Sequence, residues 1–265
     1  MSVRFAVCPE MLFPDLSFLE RVERVRAAGF DAIEIWGWKD KDLDGLARLT
    51  QKAGLTVVAM SGARQASLIQ PPPAESNRRE VEETLAVAER LGCTRLVLLS
   101  DALEPDGSVR SPYARLTLNE KTRHALGNLR DLAKLAEDRA VTLLLEPLNN
   151  RVDHPGIFLQ SSTIAFTLVE QVGSPRLMVL FDCYHMQVME GNLIATIRRH
   201  HDLIGHYHIA DPPDRTEPGT GELHIPNLLK AIAATGYDGW VGFECRARKD
   251  GAEALKAIRA ACATA

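Results

Sequence analysis

The chain has 265 residues, 46% of them hydrophobic and 25% charged, with a formal net charge of −4. That length exceeds an ordinary domain and approaches one (β/α)8 barrel, and the charge offers no basic field for nucleic acid or an anionic membrane. Five cysteines (Cys8, Cys93, Cys183, Cys245, Cys262) are scattered without a CxxC pair, which argues for a reducing cytosol and against a disulfide frame or thiolate zinc site. Met1–Phe5 runs straight into strand-like sequence with no apolar leader, and no apolar run is long enough to span a membrane. A soluble cytoplasmic protein is expected.

One rhythm repeats along the chain. Val3–Cys8 reads as a strand and Leu16–Ala28 as its helix, stopped by Gly29. Ala32–Trp36 and Leu43–Ala53 follow, then Leu55–Met60 and a helix from Ser76 to Leu91. Arg95–Leu99 precedes a long helix over 118–139, and Val141–Glu146 precedes one near Thr163–Val172. Leu177–Phe181 pairs with a helix near Asn192–His201, and Leu203–Ile209 with Ile225–Thr235. Trp240–Cys245 and Ala252–Ala263 close the series. Strict alternation calls for a parallel sheet, and eight strands close one. The fold class is α/β, a (β/α)8 TIM barrel, with residues 1–265 as a single domain. Two long loops, Ser61–Glu75 (with Pro71-Pro72-Pro73) and Ser100–Thr117, both follow strands. They belong on the rim and either lid a pocket or, for the proline segment, form a disordered insertion.

The chemistry lies where strands end on charge. Leu143-Leu144-Leu145 stops on Glu146, and Pro147 cannot extend a sheet ladder. Alone, Glu146 fits a salt-bridged strand end as well as a catalytic group. Three later strands repeat the pattern with Asp182, His208 and Glu244. Side chains alternate, so Leu144 shares a face with Glu146, Leu180 with Asp182, His206 with His208 and Gly242 with Glu244. If that face points inward, Glu146, Asp182, His208 and Glu244 converge at the barrel top. Three converging carboxylates repel one another unless a cation joins them. Hard oxygen donors with one imidazole suit Mn²⁺, Mg²⁺ or Co²⁺. His206, one layer deeper, reads as a hydrogen-bonded core residue.

These residues stand in longer motifs. Glu146-Pro147-Leu148-Asn149 is followed by His154-Pro155-Gly156, and Asp182-Cys183-Tyr184-His185-Met186-Gln187 by Met189-Glu190-Gly191. Ile209-Ala210-Asp211, Arg215, Glu217-Pro218-Gly219-Thr220-Gly221-Glu222 and Tyr237-Asp238-Gly239-Trp240-Val241-Gly242-Phe243-Glu244 complete the set. In them the chain resembles the xylose isomerase-like barrel superfamily of sugar isomerases and epimerases, most of all its hydroxypyruvate isomerase branch. The resemblance implies one divalent metal held by Glu146, Asp182, His208 and Glu244. It also implies that the two glutamates are the acid/base pair and that His185 and Arg215 contact substrate. Members of that branch often carry Gln where this chain has His208, whereas ketose 3-epimerases carry His, which leaves the metal site intact and the substrate open.

A metal chelating a carbonyl and its neighbouring hydroxyl acidifies the C–H between them, and two glutamates can move the proton through an enediolate. Return to the adjacent carbon is isomerisation; return to the opposite face is epimerisation. The implied partner is a small sugar or hydroxy-oxo acid, of the hydroxypyruvate/tartronate semialdehyde type, a 2-oxo-tetronate or a ketose. For an acid, Arg215 is the expected carboxylate partner, or else a solvated loop charge. Trp36 and Trp38 either wall the pocket or pack under a loop. A metal-dependent phosphodiesterase would want more His ligands and a basic groove, and a non-catalytic sugar-binding barrel would not need both glutamates. A homo-oligomer is compatible with the sequence, which fixes no oligomeric state.

Overall fold

The computed structural model describes residues 3–110 and 113–265. Short runs of aliphatic and β-branched residues form β1 (Arg4–Val7), β2 (Ala32–Ile35), β3 (Thr56–Ala63) and β4 (Arg95–Leu98). A small antiparallel hairpin, β5 (Ala102–Leu103) and β6 (Val109–Arg110), then stands outside the sheet. The sheet resumes with β7 (Thr142–Leu145), β8 (Leu177–Asp182), β9 (Ile204–Ile209) and β10 (Trp240–Phe243). These eight parallel strands close in the order β1-β10-β9-β8-β7-β4-β3-β2. Between them run α1 (Phe18–Ala27), α2 (Leu43–Ala53), α3 (Glu75–Leu91), α4 (Leu118–Asp138), α5 (Ser162–Val172), α6 (Cys183–Met189), α7 (Leu193–His200) and α8 (Ile225–Ala233), with α9 (Gly251–Cys262) last. The (β/α)8 barrel expected from the strand count is the fold observed.

Local chemistry sets the helix ends. Ser17 with Glu20, and Thr117 with Glu120, form capping boxes that satisfy the first free amides of α1 and α4. Gly54 ends α2 at φ 64°, a left-handed turn that costs little only without a Cβ.

The strands are buried on both faces, which is why Leu143–Leu145 shows no alternation in polarity. Outward residues such as Val7, Ile33, Leu96, Leu145, Phe181 and Phe243 pack under the helices. Inside the barrel Ala59, Val97, Leu144 and Leu180 form a separate apolar layer. Each fully buried Val or Leu there contributes roughly 1.5–3 kcal/mol, and the layer is the floor on which the charged groups stand.

Three features differ from expectation. β3 runs on through Ser61-Gly62-Ala63, because Ala63 still pairs with Leu98 of β4. Helix α6 follows β8 at once, with Asp182 capping it. The proline-bearing loop is packed rather than loose, since Ala66, Leu68 and Ile69 are buried. Asn128 Nδ2 donates to the Leu68 and Gln70 carbonyls within it. Of the second long loop, residues 111 and 112 lie outside the described residues.

Candidate functional site

Glu146 follows β7, Asp182 ends β8, His208 lies one residue before the end of β9, and Glu244 follows β10. Registry sets their level: Asp182 is opposite His208, and His208 opposite Gly242. One ligand atom from each of the four lies within 4.8 Å of the others, and all four residues are buried. The structure thus brings together the four residues that strand alternation singled out.

Each is aimed by its surroundings. Asp182 Oδ1 accepts the amides of Tyr184 (2.7 Å) and His185 (3.2 Å) as the cap of α6, which leaves Oδ2 facing the cluster. His208 Nε2 lies 2.7 Å from Glu34 Oε2. A carboxylate only accepts, so that nitrogen carries the proton and Nδ1 keeps its lone pair when the ring is neutral. Nδ1 is 3.6 Å from both Glu146 Oε1 and Glu244 Oε2. Among the described residues neither His208 Nδ1 nor Glu146 Oε1 has a hydrogen-bond partner. Three carboxylates and an imidazole, two of whose inward atoms are unpartnered, fit a divalent cation, with Glu34 fixing the ring from behind.

Electrostatics point the same way. Burial raises the Asp182 carboxyl to about 7; Arg215 and His208 oppose the shift, while Glu146 and Glu244 add to it. Burial likewise raises Glu146, against the pull of His208. Burial disfavours charge on His208, but the carboxylates of Glu34 and Glu244 outweigh it and push its pKa well up. A cation at Nδ1 would take the place of that second proton and reverse the carboxylate shifts.

Glu34 is a buried carboxylate that the strand-end pattern does not mark. It sits inside β2, and burial works against its charge. The imidazoles of His206 (2.8 Å) and His208 (2.7 Å) nevertheless hold it ionised. A Cβ on Gly242 would fall 2.2 Å from Glu34 Oε1, so only glycine on β10 leaves room for this carboxylate. The available signal was a lone carboxylate in the apolar run Ala32–Ile35. His206 is the buried, hydrogen-bonded core residue expected of it.

His185 is buried beside the cluster, its Nε2 3.5 Å from Asp182 Oδ2. Asn149 decides its tautomer. The Asn149 Oδ1 accepts the amides of Val152 and Asp153, so its Nδ2 donates, to Asp153 and to His185 Nδ1 at 2.7 Å. The Asn149 amide also points at that nitrogen, 3.2 Å away. His185 Nδ1 is therefore an acceptor and Nε2 carries the proton. Burial and the nearby Arg215 keep the ring neutral, well below its usual pKa.

Arg215 lies deeper in the cluster than a free loop charge would. Its Nη2 donates to Glu244 Oε2 and is 3.6 Å from Asp182 Oδ2. The guanidinium lies over the Tyr184 ring at 5.1 Å. The loop carrying it is organised by Asp211, whose Oδ2 accepts the amides of Gly219, Thr220 and Gly221 and whose Oδ1 accepts that of Leu223.

A cavity of about 100 Å³ opens onto the cluster, lined also by Trp36, Arg64, Leu103 and His154. The two tryptophans divide the alternatives left open by sequence. Trp36 walls this cavity, its Nε1 donating to Glu244 Oε1. Trp38 packs on α3, donating to Thr84 Oγ1 at 3.0 Å.

The sequence model of the xylose isomerase-like TIM barrel family matches residues 22–263. The hydroxypyruvate isomerase of Escherichia coli is 34% identical over 250 residues, 91% of this chain and 93% of that protein. The 2-oxo-tetronate isomerase of Cupriavidus necator is 32% identical over 256 residues, 92% of this chain and 93% of that protein. Among solved structures, a family 2 AP endonuclease from Brucella melitensis superposes with a TM-score of 0.85 at 31% identity, covering 96% of each chain.

Proposed function

We propose that this chain, which belongs to the xylose isomerase-like TIM barrel family, interconverts a small 2-oxo acid and its hydroxy-aldehyde isomer, of the hydroxypyruvate and tartronate semialdehyde type. The chain is an isomerase in the broad sense that includes epimerases, as its relatives at 32% and 34% identity are. The observation that carries the finer proposal is the convergence of Glu146, Asp182, His208 and Glu244 at one end of the barrel. These four would hold one divalent ion, Mn²⁺, Mg²⁺ or Co²⁺. Bound there, the ion supplies a Lewis acid that polarises the substrate carbonyl and acidifies the neighbouring C–H.

The chain's own groups do the rest. Glu146 and Glu244 carry the proton, one taking it from carbon and the other returning it to the adjacent carbon, so the reaction passes through an enediolate. Among the described residues His185 Nε2 has no hydrogen-bond partner, so its N–H is a buried donor for a substrate oxygen. Arg215 offers a charge-assisted donor beside Glu244. Trp36 closes the wall next to Glu244 and keeps water from the reacting carbons.

Size favours a short substrate. The cavity, about 100 Å³, is smaller than the roughly 150 Å³ cavity that takes a benzene. That suits three or four carbons better than a hexose. A 2-oxo-tetronate is the second reading, favoured by the relative from Cupriavidus necator. A nuclease activity would want a basic groove for the phosphate backbone, which the net charge of −4 does not favour. The work is that of a cytoplasmic protein acting as one domain over residues 1–265, with a small molecule as partner and neither nucleic acid nor membrane.

The test is turnover of hydroxypyruvate in D₂O with added Mn²⁺. Deuterium should appear on the product carbon that receives the proton, and EDTA should abolish turnover until Mn²⁺, Mg²⁺ or Co²⁺ is returned. Full activity in protein shown metal-free by elemental analysis would refute the metal site.

A further inference from the structure

We propose that Arg64, not Arg215, is the anchor for the substrate's carboxylate and so determines the selectivity of this site for an acid. The inference rests on the isomerase function proposed above and names the group that reads the non-reacting end of the substrate.

Two guanidinium groups line the cavity, those of Arg64 and Arg215. Arg215 is already engaged, with Nη2 on Glu244 and 3.6 Å from Asp182, and its charge balances carboxylates of the cluster itself. A substrate carboxylate brought to Arg215 would compete with Glu244 and stand among three like charges. Arg64 is different. Among the described residues its side chain makes no ion pair and no hydrogen bond, and it is half-buried at the cavity wall.

A free cation on a floppy arm would carry little weight, since ordering it costs side-chain entropy. Arg64 is held. It follows the last residue of β3, and the Glu80 carboxylate of α3 accepts three successive amides from Arg64, Gln65 and Ala66 at 2.9–3.1 Å. Its guanidinium carbon lies 5.3 Å from the centre of the Trp36 ring, a geometry that orients a guanidinium plane while leaving its N–H edge free. Trp36 is itself fixed at its backbone and at its ring. The Trp36 amide donates to Glu10 Oε1 at 2.8 Å, and Nε1 donates to Glu244. Arg64 is thereby placed relative to Glu244, a member of the proton-carrying pair, through one rigid indole. A planar, bidentate donor at fixed offset from the reacting centre is what a three- or four-carbon 2-oxo acid requires at its far end.

The test compares two substrates that differ only at that end. Hydroxypyruvate carries a carboxylate where dihydroxyacetone carries a CH₂OH, and the latter isomerises to glyceraldehyde by the same proton transfer. With Arg64→Ala the loss in kcat/KM on hydroxypyruvate should exceed the loss on dihydroxyacetone by roughly tenfold to a hundredfold. The excess should lie mainly in KM, and Arg64→Lys should restore part of it. Equal losses on both substrates, or no loss on either, would overturn the role of Arg64.

A second measurement separates this inference from the reaction assignment. Tartronate, an unreactive dicarboxylate, is titrated calorimetrically into Mn²⁺-loaded wild type and Arg64→Ala. Weaker binding to the variant supports Arg64 as anion anchor even if neither substrate turns over, in which case the isomerase assignment alone falls. Equal tartronate affinity for both proteins, or none for either, overturns the anchor whatever the activity. Arg215→Lys, assayed alongside, should depress both substrates alike.

Discussion

The two halves of the barrel rim contribute differently. The later strands, β7 to β10, each present a ligand-type side chain at the tip, giving Glu146, Asp182, His208 and Glu244. The earlier strands add no fifth member to that cluster. Instead β2 supplies Glu34, which grips two imidazoles, the residue after β2 is Trp36, and the residue after β3 is Arg64. One half carries the groups that would react, while the other orients them and shapes what may enter. Reacting groups must sit within hydrogen-bond reach of one another, whereas orienting groups act through one intervening side chain.

If that division holds, changes in the later half should cost the most. Glu146→Gln and Glu244→Gln should each lower kcat by roughly 10²–10⁴, with Mn²⁺ retained by elemental analysis, because an amide can still offer an oxygen but cannot carry the proton. A Gln variant with bound metal and wild-type kcat would break the division at its strongest point.

The earlier half should tune rather than abolish. Glu34→Gln leaves one acceptor oxygen for two imidazole N–H groups, and the loss of such a supporting group weakens metal binding by about 10–100-fold. Gly242→Ala should act in the same direction, since its methyl would meet Glu34 Oε1. Calorimetric titration with Mn²⁺ measures both. Unchanged affinity in Glu34→Gln would remove Glu34 from the orienting role.

The smallest effect is graded by pH. Asp182 is raised to about 7, and Glu146 is raised as well, so an entering cation must displace a proton below that pH. Mn²⁺ affinity should fall by up to about tenfold per pH unit for each proton displaced as pH drops below 7, and it should go on rising above 7 because the raised His208 also gives up its second proton. In EDTA-treated protein the sign is opposite. A carboxyl whose folded pKa lies above its unfolded value stabilises the fold fully below the unfolded pKa and loses that contribution as pH rises through about 7. The raised pKa of His208 acts in the same direction. The melting temperature of metal-stripped protein should therefore drop between pH 6 and 8, and Mn²⁺ should recover it. A flat profile would show that burial does not set the Asp182 carboxyl as described.

Sequence alone determined the eight strands of the closed parallel barrel and, on the condition that the alternating face points inward, the convergence of the four later strand ends; the β5–β6 hairpin it did not show. Those features rest on short-range rules: side chains alternate along a strand, and a buried run that stops on a charge advertises it. The helix α6 was lost because its seven residues are too few to show a period. Its cap, Asp182, is at once the end of β8 and the first residue before α6. What tertiary structure decided was every relation across the closed barrel. Glu34 meets His206 and His208 at separations of 172 and 174 residues, and Gly242 is glycine because Glu34 lies against it. The pairing of Arg215 with protein carboxylates, while Arg64 has no side-chain partner among the described residues, depends likewise on which loops the barrel brings together. Closure of β1 on β10 joins the two ends of the chain into one rim. No local pattern in either half encodes which partner waits on the other.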